Sequence, residues 1–192
     1  MTTRARGVRQ NGSAMVEFAL VGIPTMFLLL CIFEISRGMW TYETLAHAVR
    51  EGARYAAVHG ENCTIPPQCT CSGLPGCCTP SNSCVVTVAM IAAVIRDAGV
   101  GLDPNLLTVT LNTARSRSTT LFSGGKGPST LTTLLADTSV FPAAPGNEPD
   151  NDLVVNGVYQ FNSGLAMFWP GAAKVAFSAV NFGATSREKV EY

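Results

Sequence analysis

The chain has 192 residues, which is enough for one domain with a hydrophobic core or for a membrane helix plus a smaller domain. Only 14% of the residues are charged, against about 25% in a typical soluble domain, and this deficit favours a chain that lies partly in lipid. The formal net charge is zero, so no basic excess points to a nucleic-acid partner and no acidic tract predicts a disordered tail.

The first twelve residues carry three arginines, Arg4, Arg6 and Arg9, and no acidic residue. Basic residues that flank a membrane helix keep that end of the helix in the cytoplasm. We therefore interpret residues 1–12 as a cytoplasmic leader and residues 13–36 as a transmembrane helix.

An uncharged apolar run of 16 residues, Phe18–Phe33, follows the leader. A helix needs about 20 apolar residues to cross the hydrocarbon layer, so the span includes the glutamates on both sides of the run. Glu34 is placed at the outer interface. Glu17 is harder to accommodate, because a carboxylate at the apolar edge costs a few kcal/mol unless it is paired or protonated. Its position therefore predicts a partner.

Helical spacing continues through residues 37–60 to about Val58, with Gly60 as the stop signal. One face of this outer continuation is apolar and the other is charged, as in a helix that packs on a soluble domain. The apolar face contains Tyr42, Leu45, Ala46, Val49, Ala53, Ala56 and Ala57, and the charged face contains Glu43, His47, Arg50, Glu51 and Arg54. A cleaved secretory signal is the alternative for the N-terminus, but the apolar run is long for one and no clean small-x-small site follows it.

Two motifs in this region resemble those of a known family. Asn11–Phe18 (NGSAMVEF) resembles a prepilin peptidase site, and Val49–Ala56 (VREGARYA) resembles the REGAR-type segment of the TadE/TadG-like pseudopilins of tight-adherence (Tad) pili. The resemblance is strong over residues 9–60. The residues that carry the second motif are Arg50, Glu51, Gly52, Ala53 and Arg54.

The resemblance implies that a membrane prepilin peptidase cuts between Gly12 and Ser13. Glu17 would then be the fifth residue of the mature chain and, with Phe18 beside it, would register subunits by facing the freed amine of a neighbour. Such an amine is the partner that a membrane carboxylate needs.

Six of the seven cysteines lie in residues 61–84, a segment that is rich in proline and glycine. An even number of cysteines in a turn-rich loop outside the cytoplasm predicts disulfide bonds, although the sequence does not choose a pairing. The spacings do not fit paired zinc motifs, and no histidine lies among them. These cysteines are Cys63, Cys69, Cys71, Cys77, Cys78 and Cys84, whereas Cys31 in the apolar run is expected to pack as a small apolar residue.

Residues 85–192 predict an extracytoplasmic α+β domain, with a long loop at about 113–151 and three or four antiparallel strands packed on the C-terminal half of the long helix. A short helical turn is expected in the loop near Leu131–Ala136. The other predicted elements are a short strand or helix start running into a helix at Val85–Ala98, strands at Leu106–Asn112, Leu153–Phe161 and Ala172–Asn181, and a last edge strand at Thr185–Tyr192.

Catalytic motifs are not found in the sequence. The chain has two histidines and no G-x-S-x-G, HExxH or P-loop pattern, so we expect no enzymatic activity, no cofactor and no metal. Glu148, Asp150 and Asp152 are interpreted as a solvated loop rather than as a weak calcium site.

The sequence thus predicts a minor pseudopilin-like structural component of a Tad-type pilus assembly or secretion system. It would be a single-pass protein of the bacterial inner membrane, with a cytoplasmic N-terminus and a periplasmic or extracellular C-terminal domain. The expected partners are the prepilin peptidase, other pilin-like subunits, the assembly platform and membrane lipid. The alternatives are a membrane-tethered binding module whose cysteine-rich loop recognises a ligand, and a tethered metal or redox protein.

Overall fold

The computed structural model describes residues 11–59, 86–116, 118, 120–122, 124–164 and 180–191, with side chains from residue 14 onward. Its elements are α1 (Asn11–Val58), α2 (Val88–Ala98), β1 (Leu107–Ala114), β2 (Lys126–Thr130), α3 (Leu131–Leu134), β3 (Asp152–Phe161) and β4 (Val180–Lys189). A long helix and a small antiparallel sheet confirm the predicted α+β class. The chain divides into two compact units, Met1–Gly38 with Ser163–Phe177, and Met39–Asn162 with Ser178–Tyr192.

In the first unit, the N-terminal half of α1 is helical through Pro24. Proline has no backbone N–H and therefore leaves one carbonyl of the preceding turn without its helical donor. One residue later, the Thr25 hydroxyl donates to the Val21 carbonyl at 2.7 Å, which adds a side-chain hydrogen bond to the same turn. Membrane helices tolerate proline where such side chains compensate.

In the second unit, the four strands form one sheet in the order β2-β1-β3-β4. β1 pairs antiparallel with β3 from Leu107 opposite Tyr159 to Ala114 opposite Asp152. All ten residues of β4 pair with β3, so β4 is the long edge of the sheet. Large apolar side chains alternate along β1 and β3, as expected for a sheet with one face on a core.

The core lies between this sheet and the helices of the second unit. Its fully buried members include Leu45, Val49, Ala53, Ile91, Ile95, Leu107, Val109, Leu111, Leu153 and Val155. The C-terminal half of α1 contributes small residues to this core. That half of the helix is therefore a structural part of the folded domain, as its apolar face predicts.

Helix α2 follows from its sequence. Thr87 is the N-cap, and its hydroxyl accepts from the Met90 N–H at 3.4 Å. Apolar residues at i, i+3, i+4 and i+7 from Val88 are buried, which gives one core-facing stripe. Gly99 follows as the C-cap and donates its N–H to the Ile95 carbonyl at 2.9 Å.

Two sequence predictions need correction. The interpretation of 113–151 as a long loop was wrong at β2, which pairs with β1 through an irregular register. Gly127 and Pro128 suppress the strand signal there, and proline is tolerated because β2 is an edge strand. The last edge strand begins earlier than predicted, at Val180. The predicted strand Ala172–Asn181 lies mostly outside the described residues.

The Asp137 side chain connects Lys126 of β2 to Ser139, in the segment that follows α3. Its carboxylate accepts from the Ser139 N–H at 2.9 Å and the Ser139 hydroxyl at 2.5 Å, and it lies 3.1 Å from the Lys126 ammonium. The Ser139 hydroxyl, then the Ser139 N–H and, to a smaller extent, Lys126 lower the pKa of Asp137 to about 2, against the opposing effect of burial.

A pKa that is lower in the folded chain than in the unfolded chain stabilises the fold above the unfolded pKa and ceases to do so as the pH falls through the folded value. We therefore expect the lowered pKa of Asp137 to add about 1–2 kcal/mol to the free energy of unfolding at neutral pH. This contribution should disappear between about pH 4 and pH 2. Chemical unfolding of the full chain and of Asp137→Asn at pH 6, 3 and 2 measures this. A pH dependence that is the same in both proteins would contradict the assignment.

Candidate functional site

The N-terminal half of α1 exposes its apolar side chains. Phe18 is 77% exposed and Phe33 is 75% exposed. An 18-residue window of this helix has a mean hydropathy of 2.3, and none of it is buried inside the protein. By length and composition, the described part of the chain thus contains one helix able to cross a membrane, close to the N-terminus.

The proposed peptidase site lies at the start of this helix. Gly12 and Ser13 fall in the first turn of α1, and the side chain of Ser13 lies outside the description. Glu17 lies one turn further and is exposed. Within the described ranges no hydrogen-bond or ion-pair partner of Glu17 is found. The sequence prediction that Glu17 needs a partner is therefore not met by these residues of the same chain.

A shallow apolar groove of about 370 Å³ follows Phe18 along the helix. Gly22 also lines it, and a Cβ at this position would be in ordinary van der Waals contact with the Phe18 ring at 3.7 Å. The other lining residues are Ala19, Ile23, Met26, Phe27 and Leu30. The groove is an all-apolar surface of the type that packs on lipid or on another apolar helix.

The REGAR-type motif divides between two faces of α1. Arg50 and Arg54 are exposed, whereas Gly52 and Ala53 are buried. A Cβ at Gly52 would lie 2.8 Å from Ile95 Cδ1 and closer still to Cγ1, so only glycine lets α1 approach α2 this closely. The two small residues of the motif therefore pack within the chain, and the two arginines face outward.

A second glycine sets the approach of the sheet to α1. A Cβ at Gly157 of β3 would lie 2.6 Å from Val49 Cγ2 and 3.3 Å from Leu45 Cδ1. Gly52 and Gly157 thus allow α2 and the sheet to approach the C-terminal half of α1 closely. In this half of the helix Arg50 and Arg54 are exposed and lie outside the core. Neither contact has a signal in the sequence beyond the presence of a glycine.

The two outward-facing arginines, Arg50 and Arg54, form the arginine face of α1. Neither Arg50 nor Arg54 forms an ion pair with any carboxylate among the residues that the structure places. Two arginines four residues apart on a helix repel each other, so a carboxylate is expected nearby, in this chain or in a partner. Within these ranges the chain itself supplies no such ion pair. Among the described residues, Arg50 and Arg54 are thus two exposed cations on one helical turn.

A second groove, of about 440 Å³, lies beside Arg50. It is lined by Trp40, Glu43, Thr44, Ala46, His47 and Arg50 of α1, and by Ala98 and Val100 at the end of α2. The lining offers an indole, a carboxylate, an imidazole and a guanidinium. Tryptophan and arginine are enriched at the centres of protein interfaces, so the chemistry of the groove is that of protein recognition.

The contacts of Glu34 were not predicted from the sequence. The Ser163 hydroxyl donates to Glu34 Oε2 at 3.1 Å, and the Gly164 N–H donates to the same oxygen at 3.3 Å. Both donors follow β3 and are about 130 residues away in sequence, and no local pattern signals a contact of that separation.

The predicted disulfide loop, Cys63–Cys84, lies outside the described residues, and so does the metal alternative for it. Cys31 is a free cysteine, exposed on α1. Within the described ranges no group of three or more histidine, cysteine or acidic side chains is placed to hold a metal ion. The interpretation of Asp152 as part of a solvated loop was wrong, because it is a buried residue of β3 paired with Arg187.

The described residues define a class of protein: an α+β domain whose longest helix continues as an apolar, membrane-competent segment. Residues 12–54 match the model of the family described as TadE-like protein, which confirms the predicted resemblance and associates the chain with Tad pili. The match runs from Gly12, through the apolar half of α1, to Arg54. No curated protein and no solved structure gives a significant match to the chain.

Proposed function

We propose that the chain is a minor pseudopilin-like structural component of a Tad-type pilus assembly system, held in the bacterial inner membrane with its N-terminus in the cytoplasm. One observation carries this proposal. The TadE-like match coincides with a helix that is apolar and exposed in one half and is part of a folded core in the other. Such a helix packs on lipid or on pilin-like helices at one end while it carries a domain at the other.

Processing by a prepilin peptidase is the second part of the proposal. A cut after Gly12 would remove Arg4, Arg6 and Arg9 and free an amine at Ser13. The exposure of Glu17 supports this, since an exposed carboxylate near the membrane edge is stabilised by a cation from another subunit. Glycine before the cut fits a tight protease cleft because it has no side chain.

Intact-mass measurement of the chain, expressed with and without an active prepilin peptidase, tests this step. We expect the wild-type chain to lose residues 1–12, and Gly12→Leu to keep them. Gly7→Leu is the matched control, because it makes the same change within the leader and should still be cut. A wild-type chain that keeps its leader in the presence of active peptidase would refute processing.

The arginine face is the proposed contact with other pilin-like subunits or the assembly platform. Arg50 and Arg54 make no ion pair with the described residues of their own chain, so their loss should leave stability within about 0.5 kcal/mol of wild type. We expect Arg50→Ala and Arg54→Ala to fold normally and yet to reduce pilus output and the co-purification of pilin-like subunits.

Arg96→Ala is the control for these variants. Arg96 is also an exposed helical arginine, and it pairs with the neighbouring exposed Asp97, a contact that is worth little. This variant should match wild type in both stability and assembly. Normal pilus output from Arg50→Ala and Arg54→Ala would contradict a docking role for the arginine face.

A further inference from the structure

The position of Glu34 along α1 determines its depth in a bilayer that the helix crosses. Twenty residues separate Ala14 from Glu34, and a helix rises about 1.5 Å per residue, so this stretch covers the roughly 30 Å of a hydrocarbon core. The neighbours of Glu34 are still lipid-like, since Phe33 is 75% exposed and Ile35 is 66% exposed. A membrane that begins at Ala14 therefore ends at Glu34, which places this carboxylate in the layer of lipid headgroups.

Glu34 is half-buried, and protein groups cover it at this depth. The Ser163 hydroxyl and the Gly164 N–H both donate to Oε2, at 3.1 Å and 3.3 Å. A Cβ at Gly164 would come within 2.9 Å of Oε1, so glycine permits this close approach. All three residues belong to the same compact unit. Hydrogen bonds to an ionised carboxylate are stronger than those between neutral groups.

We propose that Ser163–Gly164 is a second contact of this chain with the bilayer, in the phospholipid headgroup layer, and that Glu34 holds it there. A residue that is hydrogen-bonded to a carboxylate in the headgroup layer lies at the same depth in the bilayer as that carboxylate. In the sequence, Trp169 follows five residues after Gly164, outside the described residues, and tryptophan is enriched at membrane–water interfaces. The inference requires a bilayer but not a pilus, so it goes beyond the proposed function.

Tryptophan quenching in lipid vesicles tests this contact. The chain has two tryptophans, Trp40 and Trp169, and replacing both by phenylalanine gives a background for single reporters. Asn162→Trp reports on the residue before Ser163, and Phe33→Trp reports on the membrane helix itself. In phosphatidylcholine vesicles with bromine atoms near the glycerol end of the acyl chains, we expect both reporters to lose most of the fluorescence that they have in unbrominated lipid.

A matched pair of substitutions tests the role of Glu34. Glu34→Gln keeps a carbonyl oxygen that accepts from both donors, so the Asn162→Trp reporter should stay quenched. Glu34→Leu removes the acceptor and should restore the fluorescence of this reporter, while the Phe33→Trp reporter stays quenched. Far-ultraviolet circular dichroism establishes that all variants fold.

Each other outcome overturns the inference. An unquenched Asn162→Trp beside a quenched Phe33→Trp would show that the helix is in the membrane but that Ser163–Gly164 is not at its surface, and the proposed function would stand. Equal quenching of Asn162→Trp in Glu34→Leu would refute the holding role of Glu34. If the fluorescence of this reporter changes only after a pilin-like protein is added, Ser163–Gly164 contacts a protein rather than lipid.

Discussion

Replacing Gly52 by leucine is expected to lower the free energy of unfolding of the full-length chain by about 3 kcal/mol. The reason is the fully buried Ile95 of α2, whose Cδ1 would lie 2.8 Å from a Cβ at this position. Alanine should be milder. Its overpacking of about 1–3 kcal/mol is offset by the gain of about 1 kcal/mol when alanine replaces glycine inside a helix. Guanidinium unfolding in detergent, followed by circular dichroism, measures both variants.

A double-mutant cycle shows whether the contact with Ile95 is the cause. Ile95→Ala alone should cost about 2–5 kcal/mol because it leaves a cavity. In the Gly52→Leu background the same change makes room for the new side chain, so the double variant should be more stable than the sum of the single effects predicts.

Gly127 provides the matched control for this cycle, because a Cβ there meets nothing within 4 Å. Gly127→Leu should therefore change stability by no more than about 0.5 kcal/mol. Equal effects of leucine at Gly52 and at Gly127 would show that α2 does not pack against Gly52.

This pair of results separates two roles within one motif. Gly52 and Ala53 are buried in the chain's own core, so assembly defects in their variants should follow the loss of stability. Arg50 and Arg54 are exposed, so assembly defects in their variants should occur without a loss of stability. The REGAR-type motif thus combines a helix-packing element with the proposed docking surface, and the two are distinguished by measuring stability and assembly on the same variants.

The spacing of apolar residues within a segment predicted the helices and strands whose formation depends mainly on that segment's own sequence. The long helix ends at Val58 as predicted, because its apolar face repeats at helical spacing. The strands around Val109 and Val155 follow the alternation of apolar residues. Helix α2 follows from a threonine cap and a run of apolar residues.

The features that were missed depend on distant contacts. Strand β2 contains glycine and proline and is held by pairing with β1, so its own sequence does not predict it. The bonds between Glu34 and Ser163–Gly164 join residues about 130 positions apart. The exposed and buried halves of the REGAR-type motif could be separated by helical spacing, but its contact with Ile95 needed the position of α2.

The pairing of β3 with β4 creates a charge pair that the sequence also did not predict. Arg187 lies opposite Val154 in the ladder, and its guanidinium reaches Asp152 at the start of β3 at 2.6 Å and 2.8 Å. It also donates to the Ser118 carbonyl at 2.8 Å. The side chain of Asp152 is 8% exposed, whereas that of Arg187 is 41% exposed. If Asp152 is removed, water can therefore solvate the Arg187 side chain. If Arg187 is removed, water reaches the Asp152 carboxylate poorly.

This difference predicts an asymmetry between the two single variants. Arg187→Ala removes the cation beside a buried carboxylate and should lower stability by about 2–3 kcal/mol, whereas Asp152→Ala leaves an arginine that water can reach and should lower it by about 1 kcal/mol. Asp152→Asn keeps an acceptor for the guanidinium and should fall closer to wild type. Denaturant unfolding of the full chain ranks the three variants. A larger loss for Asp152→Ala than for Arg187→Ala would mean that Asp152 contributes to stability chiefly through contacts other than the one with Arg187.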